Sequence, residues 1–294
     1  MIINKNIIEN TGLVLEGGGF RGIFVAAALE VLHKNNLFFP YMIGVSAGAA
    51  YGVSYVTRQQ GRNLETNQYI NDKRYCGLKH LLTKQNYFNW EFMYKEIPVS
   101  LFPLDYHELK NSPTRFDAVI TNCKTAQAEY IPVNNSSADR LRDILTATSS
   151  LPFISKIKKI DNSLYLDGGL ADPIPIKQAF SQNNKRLIVV LTRPKGYQKE
   201  ENGSSAFFFK LFYRKYPQLV KLMHERAAKY NQQLKEIEKL ASKGKIFVIQ
   251  PENPIQIGRL ENNPEVLEKV YFDSMKEIEI NNFPKLMNWI EESY

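Results

Sequence analysis

The chain has 294 residues, with 38 Lys plus Arg against 30 Asp plus Glu, a net charge of +8 and 44% hydrophobic residues. That length accommodates one large α/β domain or two modest ones, each able to bury a core. A composition of 23% charged and 12% aromatic residues excludes a disordered chain. Cys76 and Cys123 are too few for a disulfide framework, and His33, His80, His107 and His224 are scattered without zinc-type spacing. Neither a metal nor a cofactor is expected.

In chain order, Met1–Gly12 carries one lysine and lacks the apolar stretch of a secretory signal. With so few cysteines, a cytoplasmic address is expected. Thr11–Leu15 is a short apolar run ending in glycines, which predicts a buried strand. Ile23–Lys34, rich in Ala and Leu, predicts a helix. Tyr41–Val45 predicts a second strand and Ala47–Gln59 a second helix. The uncharged stretch Leu37–Thr57 contains Pro40 and three glycines, so it suits a strand, turn and helix rather than a membrane span. Arg58–Pro113, mixed aromatic and polar, predicts an insertion of helices and loops. Phe116–Thr121, Leu187–Thr192 and Ile246–Gln250 are further strand candidates. The alternation of strand and helix predicts a mostly parallel sheet covered on both faces.

Charge concentrates late in the chain. Phe207–Lys245 holds ten Lys or Arg against three Glu, nearly the whole net charge. It opens on the aromatic run Phe207-Phe-Phe-Lys-Leu-Phe-Tyr-Arg-Lys-Tyr216. Such a segment suits either peripheral contact with an anionic membrane or a solvated helix face with its aromatics in the core. No nucleic-acid module accompanies the charge, so no nucleic-acid partner is expected.

Three motifs carry chemistry. Glu16-Gly17-Gly18-Gly19-Phe20-Arg21-Gly22 lies at a strand-to-helix junction and contains G-x-G-x-x-G. A nucleotide-binding oxidoreductase would need an acid about 20 residues on, at the end of the second strand. No Asp or Glu occurs between Glu30 and Glu65, which argues against that alternative. Bare backbone N–H groups at a helix start can equally hold a phosphate or a developing oxyanion. Gly44-Val45-Ser46-Ala47-Gly48 is G-x-S-x-G after a strand, the pattern of a nucleophile elbow. The only histidine far enough downstream to serve as its base is His224, which sits inside the basic helical segment with no turn to aim it. Asp167, followed at once by Gly168-Gly169 and then by Pro173 and Pro175, is a carboxylate on a tight turn after a short apolar strand.

Taken in this order, the glycine-rich loop, the G-x-S-x-G elbow and Asp-Gly-Gly resemble the patatin-like phospholipase family over residues 11 to about 195. Ala147-Thr-Ser-Ser-Leu-Pro-Phe153 also resembles that family, and Leu191-Thr-Arg-Pro-Lys-Gly-Tyr197 with Ile257-Gly-Arg-Leu260 resembles its bacterial branch. The resemblance implies a three-layer α/β/α fold with a mostly parallel central sheet. It implies one patatin-like domain over 1–294, with a catalytic core at 11–195 and a basic helical segment, strand and helices at 196–294. It further implies lipid ester hydrolysis, with phospholipid the expected substrate in lipid breakdown, through a Ser–Asp dyad. By motif position Ser46 is then the nucleophile and Asp167 its base. The amides of Gly17, Gly18 and Gly19 form the oxyanion hole, and Arg21, Gly22, Gly44, Gly48, Gly168 and Gly169 support the frame. Glu16 stands where many members carry Asp, outside the chemistry. The remaining alternative is a catalytically silent membrane or protein adaptor on the same fold. The Tyr87–Phe92 cluster and Phe207–Tyr216 are candidates for a lid or membrane-contact surface.

Overall fold

The computed structural model describes residues 7–200, 203–258, 261 and 263–292, with backbone alone for 203–207. Arg259 and Leu260 of the second bacterial-branch stretch, and Met1–Asn6 of the N-terminal segment, lie outside the described residues. The strands are β1 (Thr11–Leu15), β2 (Tyr41–Val45), β3 (Arg115–Asn122), β4 (Ala128–Pro132), β5 (Lys158–Ile160), β6 (Ser163–Asp167), β7 (Arg186–Val190) and β8 (Ile246–Ile249). The helices are α1 (Ile23–Lys34), α2 (Ala47–Val56), α3 (Arg62–Asn67), α4 (Leu78–Lys84), α5 (Tyr106–Asn111), α6 (Ala138–Ser149), α7 (Ile176–Ser181), α8 (Gly203–Phe212), α9 (Pro217–Ala241), α10 (Pro264–Glu277) and α11 (Phe283–Glu291).

One sheet of eight strands runs β5-β6-β3-β2-β1-β7-β8, with β4 also paired to β3. The centre β3-β2-β1-β7-β8 is parallel, while β4, β6 and β5 pair antiparallel at one side. The apolar runs are buried on both faces, as parallel strands under two helical layers must be. Leu13, Leu15, Met42, Phe116, Ile188 and Val190 meet α1, α2, α10 and α11 on one face. Their alternating neighbours Val14, Ile43, Val45, Val119, Leu187 and Val189 meet α7 and α9 on the other. The fold is a three-layer α/β/α arrangement around a mixed, largely parallel sheet.

The predicted strands occur with their ends within two residues of expectation. Helix α2 ends at Val56, three residues before the predicted Gln59. There Arg58 turns left-handed at φ 54°, and the amides of Arg58 and Gln59 fold back to the carbonyls of Tyr55 and Ser54, which stops the helix. The 58–113 stretch is the expected insertion of helices and loops, including a π-helical segment at Phe92–Leu101 that accommodates Pro98.

Phe116 is fully buried, and the chain at Gly52 of α2 approaches its ring so closely that no Cβ would fit. Phe116→Ala should therefore cost about 3–5 kcal/mol in chemical denaturation. A loss below about 1 kcal/mol would mean that this sheet-to-helix contact is not part of the core.

Candidate active site

The parallel pairing of β2 with β3 ends at Val45↔Val119, and the next residue of β3, Ile120, pairs with Asp167 of β6. Because β4 occupies the other edge of β3 at both positions, β6 takes up the same edge that β2 has just left. Ser46 and Asp167, 121 positions apart in sequence, are thereby delivered to one point.

Ser46 stands between β2 and α2 at φ 53°, ψ −122°, a left-handed conformation that costs a non-glycine residue about 1–3 kcal/mol. The turn survives because its neighbours pack without side chains. A Cβ on Gly44 would sit 2.7 Å from the backbone of Ala49, and one on Gly48 would sit 2.7 Å from the carbonyl oxygens of Leu15 and Glu16. The Ser46 amide donates to Thr148 Oγ1 at 2.9 Å, and Thr148 donates onward to the Val119 carbonyl at 2.5 Å. Ser46 is 7% exposed, and its hydroxyl lies near the Asp167 carboxyl, whose pKa it lowers.

Asp167 is 3% exposed. Its Oδ1 accepts the Gly169 amide at 2.7 Å, while Thr121 Oγ1 donates to its carbonyl at 2.8 Å and accepts the Ala171 amide. Gly168 is obligatory, since a Cβ there would lie 2.2 Å from the Val119 carbonyl oxygen. Burial pushes the Asp167 carboxyl above its ordinary range; the Ser46 hydroxyl, the Gly169 amide and the charges of Arg226 and Lys199 pull it partly back.

The glycine loop lies against the serine: a Cβ on Gly17 would sit 2.9 Å from Ser46 Cβ. Among the described residues the Gly17 and Gly18 amides have no protein acceptor. Gly19 turns left-handed at φ 57° and opens the short helix that carries Arg21 and Gly22, and Gly22 packs against Ala47. Glu16 anchors this loop. Its carboxylate accepts the Thr192 amide at 2.6 Å, the Thr192 hydroxyl at 3.0 Å and the Tyr230 hydroxyl at 2.6 Å. Burial raises its pKa against those bonds.

Residues 13–180 match the family model of the patatin-like phospholipases. The chain belongs to the patatin-like phospholipase family. Residues 216–290 match a second family, described as a domain of unknown function (DUF6363). Among curated proteins, the uncharacterized protein YjjU of Escherichia coli (strain K12) is 26% identical over 274 residues, covering 88% of this chain and 73% of YjjU. Among solved structures, VipD from Legionella pneumophila aligns at 11% identity with a TM-score of 0.43, covering 91% of this chain and 66% of VipD.

The patatin-like core opens on a cavity of about 170 Å³ that reaches Ser46 and is lined by Phe20, Tyr51, Phe88, Trp90, Met93 and Leu145. Two members of the sequence-predicted 87–92 cluster thus form its wall, with Trp90 stacked on Tyr94 at 5.6 Å, while Phe92 is core. His224 lies on an exposed position of α9, and the carboxyl nearby that senses the Ser46 side chain is that of Asp167. The 207–245 segment divides. Phe209 and Tyr213 stack in the core at 4.3 Å, whereas Phe208, Leu211 and Phe212 are exposed, Phe212 by 68%. Among the described residues no helix is long and apolar enough to cross a membrane.

Sequence reasoning gave no role to Thr148, Thr192, Tyr230, Arg226 or Lys199. Only the family-like stretches Ala147–Phe153 around Thr148 and Leu191–Tyr197 around Thr192 offered a signal. Thr148→Val would leave the Ser46 amide and the Val119 carbonyl unpaired in the core, and should destabilise the protein by about 1–3 kcal/mol in denaturant titration. Thr148→Ser, which keeps the oxygen, should retain most of that stability; equal losses in both variants would refute the bridging role.

Proposed function

We propose that the chain is a lipid acyl hydrolase in which Ser46 is the nucleophile, Asp167 its base, and the amides of Gly17, Gly18 and Gly19 the oxyanion hole. The observation that carries this reading is the meeting of Ser46 and the buried Asp167 carboxyl at consecutive positions along β3, at a strained elbow beside an amide-rich loop. Family membership supports the reaction class, and the apolar cavity at Ser46 supports an acyl chain as the bound group.

Ser46 Oγ attacks the ester carbonyl while Asp167 accepts its proton. The carbonyl oxygen becomes an anion next to the glycine-loop amides and the N-terminus of α2, where preorganised dipoles favour negative charge. Collapse expels the alcohol, which takes the proton from Asp167 and leaves an acyl-serine. Asp167 then draws a proton from water, the hydroxide attacks the acyl carbonyl, and the fatty acid departs as Ser46 recovers its proton. The raised pKa of Asp167 makes it a better base than an exposed carboxylate. Arg21, Gly22, Gly44, Gly48, Gly168 and Gly169 hold the frame, and every proton moves through the chain's own groups.

The exposed Leu211 and Phe212, with Phe153 in edge contact with Phe212, adjoin Lys210, Arg214 and Lys215. Apolar side chains rimmed by cations fit the surface of an anionic bilayer, so the proposal includes peripheral contact there. Leu211→Ser/Phe212→Ser should reduce co-sedimentation with anionic vesicles, and added salt should weaken it in the parent protein. Unchanged sedimentation of the variant would remove this contact from the account.

Ser46→Ala and Asp167→Asn should each lower turnover of a short-chain ester by about a thousandfold or more while the proteins keep their melting transition. Activity of Ser46→Ala within tenfold of the parent would end the proposal. The base must be ionised, and burial raises its pKa. Hence kcat/KM should fall as pH drops through a value above the ordinary carboxylate range. Arg226→Gln removes a charge that lowers the Asp167 pKa and should move that acid limb to higher pH. A limb that stays put would disconnect Arg226 from the base.

A further inference from the structure

Four cations gather beside the Ser46–Asp167 pair and, among the described residues, have no carboxylate within ion-pair distance. Arg226 of α9 places Nε 3.3 Å from the Gly169 carbonyl. One turn on, Tyr230 bonds Glu16 and stands 6.1 Å from the Tyr197 ring. Lys199 Nζ lies over the Tyr230 ring at 5.1 Å and the Arg193 guanidinium over the Tyr197 ring at 4.4 Å. The backbone of Lys199 is clamped to α9 by two hydrogen bonds with the Asn231 side chain. Arg21 completes the group, and among the described residues its buried Nε has no hydrogen-bond partner.

These groups repel one another. Lys199 feels the charges of Arg226, Arg193 and Arg21, and with burial they bring its pKa down to about 8; Arg21 is lowered by burial and by Arg193. The exposed Arg74, Arg140 and the better-buried Arg142 all hold carboxylates within ion-pair distance, whereas among the described residues none of Arg21, Arg193, Lys199 and Arg226 does. The two nearby acids are already engaged, Glu16 by Thr192 and Tyr230 and Asp167 by the Gly169 amide. Partly desolvated cations held together without counter-charge destabilise a fold unless an anion joins them. Guanidinium groups favour phosphate because their planar donors meet two oxygens at once.

We propose that Arg193, Lys199 and Arg226, with Arg21 beside them, form a subsite for the phosphodiester of a glycerophospholipid whose acyl ester lies at Ser46. This rests on the Ser46–Asp167 reading and adds to it the side chains that hold the phosphodiester. None of the four cations lines the apolar cavity, so headgroup and acyl chain take separate walls, and in a glycerophospholipid the phosphate is a few bonds from either ester. Arg226 falls in the 216–290 region of unknown function, and Arg193 and Lys199 lie beyond the patatin-like match. The C-terminal region thereby contributes part of the binding site.

The test uses the Ser46→Ala protein and two short-chain ether lipids below their micelle concentrations, a dialkylglycerophosphomethanol and the corresponding neutral dialkylglycerol, with dissociation constants from calorimetry. The phosphodiester lipid should bind at least about tenfold more tightly, a difference of ~1.4 kcal/mol. Adding Arg193→Gln/Lys199→Gln should erase that preference, and adding Lys199→Arg alone should preserve most of it. Equal binding of the two lipids by Ser46→Ala overturns the subsite, as does a preference that survives neutralisation of both side chains. Inorganic phosphate that binds as tightly as the phosphodiester lipid overturns the assignment to a lipid headgroup. A phosphate preference in a protein that hydrolyses no ester would overturn the reaction assigned to Ser46 and Asp167 while leaving the subsite standing.

Discussion

Strand β3 accepts two different partners along one edge, and the site exists because of where the exchange occurs. Parallel β2 stops at the partner of Val119, and antiparallel β6 begins at the partner of Ile120. A slip of one residue in either pairing would turn Asp167 to the opposite face of the sheet. Register is enforced on both sides. Thr148 links the Ser46 amide to the Val119 carbonyl, Thr121 holds the carbonyl of Asp167, and the chain passes Val119 at Gly168 with no room for a Cβ. The geometry of the serine and the carboxylate is therefore a property of the sheet, not of flexible loops.

The same frame explains the electrostatics. A carboxylate buried this deeply is costly when ionised, and Asp167 is made tolerable by an amide, a hydroxyl and the more distant charges of Arg226 and Lys199. Those cations arrive on α9 and on the segment after β7, which Glu16 ties to the glycine loop through Thr192 and Tyr230. Glu16 thus couples three parts of the chain that meet only in the folded state. Its hydrogen bonds go to Thr192 and Tyr230, and through them it fixes the base of the amide-bearing loop.

Much of this was legible in the sequence because the signals are local. Thr11–Leu15 and Tyr41–Val45 are uninterrupted apolar runs at the centre of a parallel sheet, and their observed limits are those of the runs. The serine and the Asp-Gly-Gly turn announce themselves through glycines that close packing requires. Strands β4 and β5 escaped because Ala128–Pro132 and Lys158–Ile160 are short, and all but Ile160 are incompletely buried. Glu16 was read as standing outside the chemistry; its partners are 176 and 214 positions away, a separation that no motif spans. Arg226 looked like one member of the 207–245 basic run, and only the docking of α9 separates it from the solvated lysines of the same helix; Lys199, before that run, carried no signal of its own.

The proposed mechanism depends most on Ser46 being an activated nucleophile, and covalent capture tests that directly. Incubation of the full chain with a fluorophosphonate, followed by proteolysis and mass-spectrometric mapping, should place the adduct on Ser46. The same chain carrying Asp167→Asn should label far more slowly. An unlabelled Ser46, or an adduct found elsewhere on the chain, would contradict the mechanism at its first step.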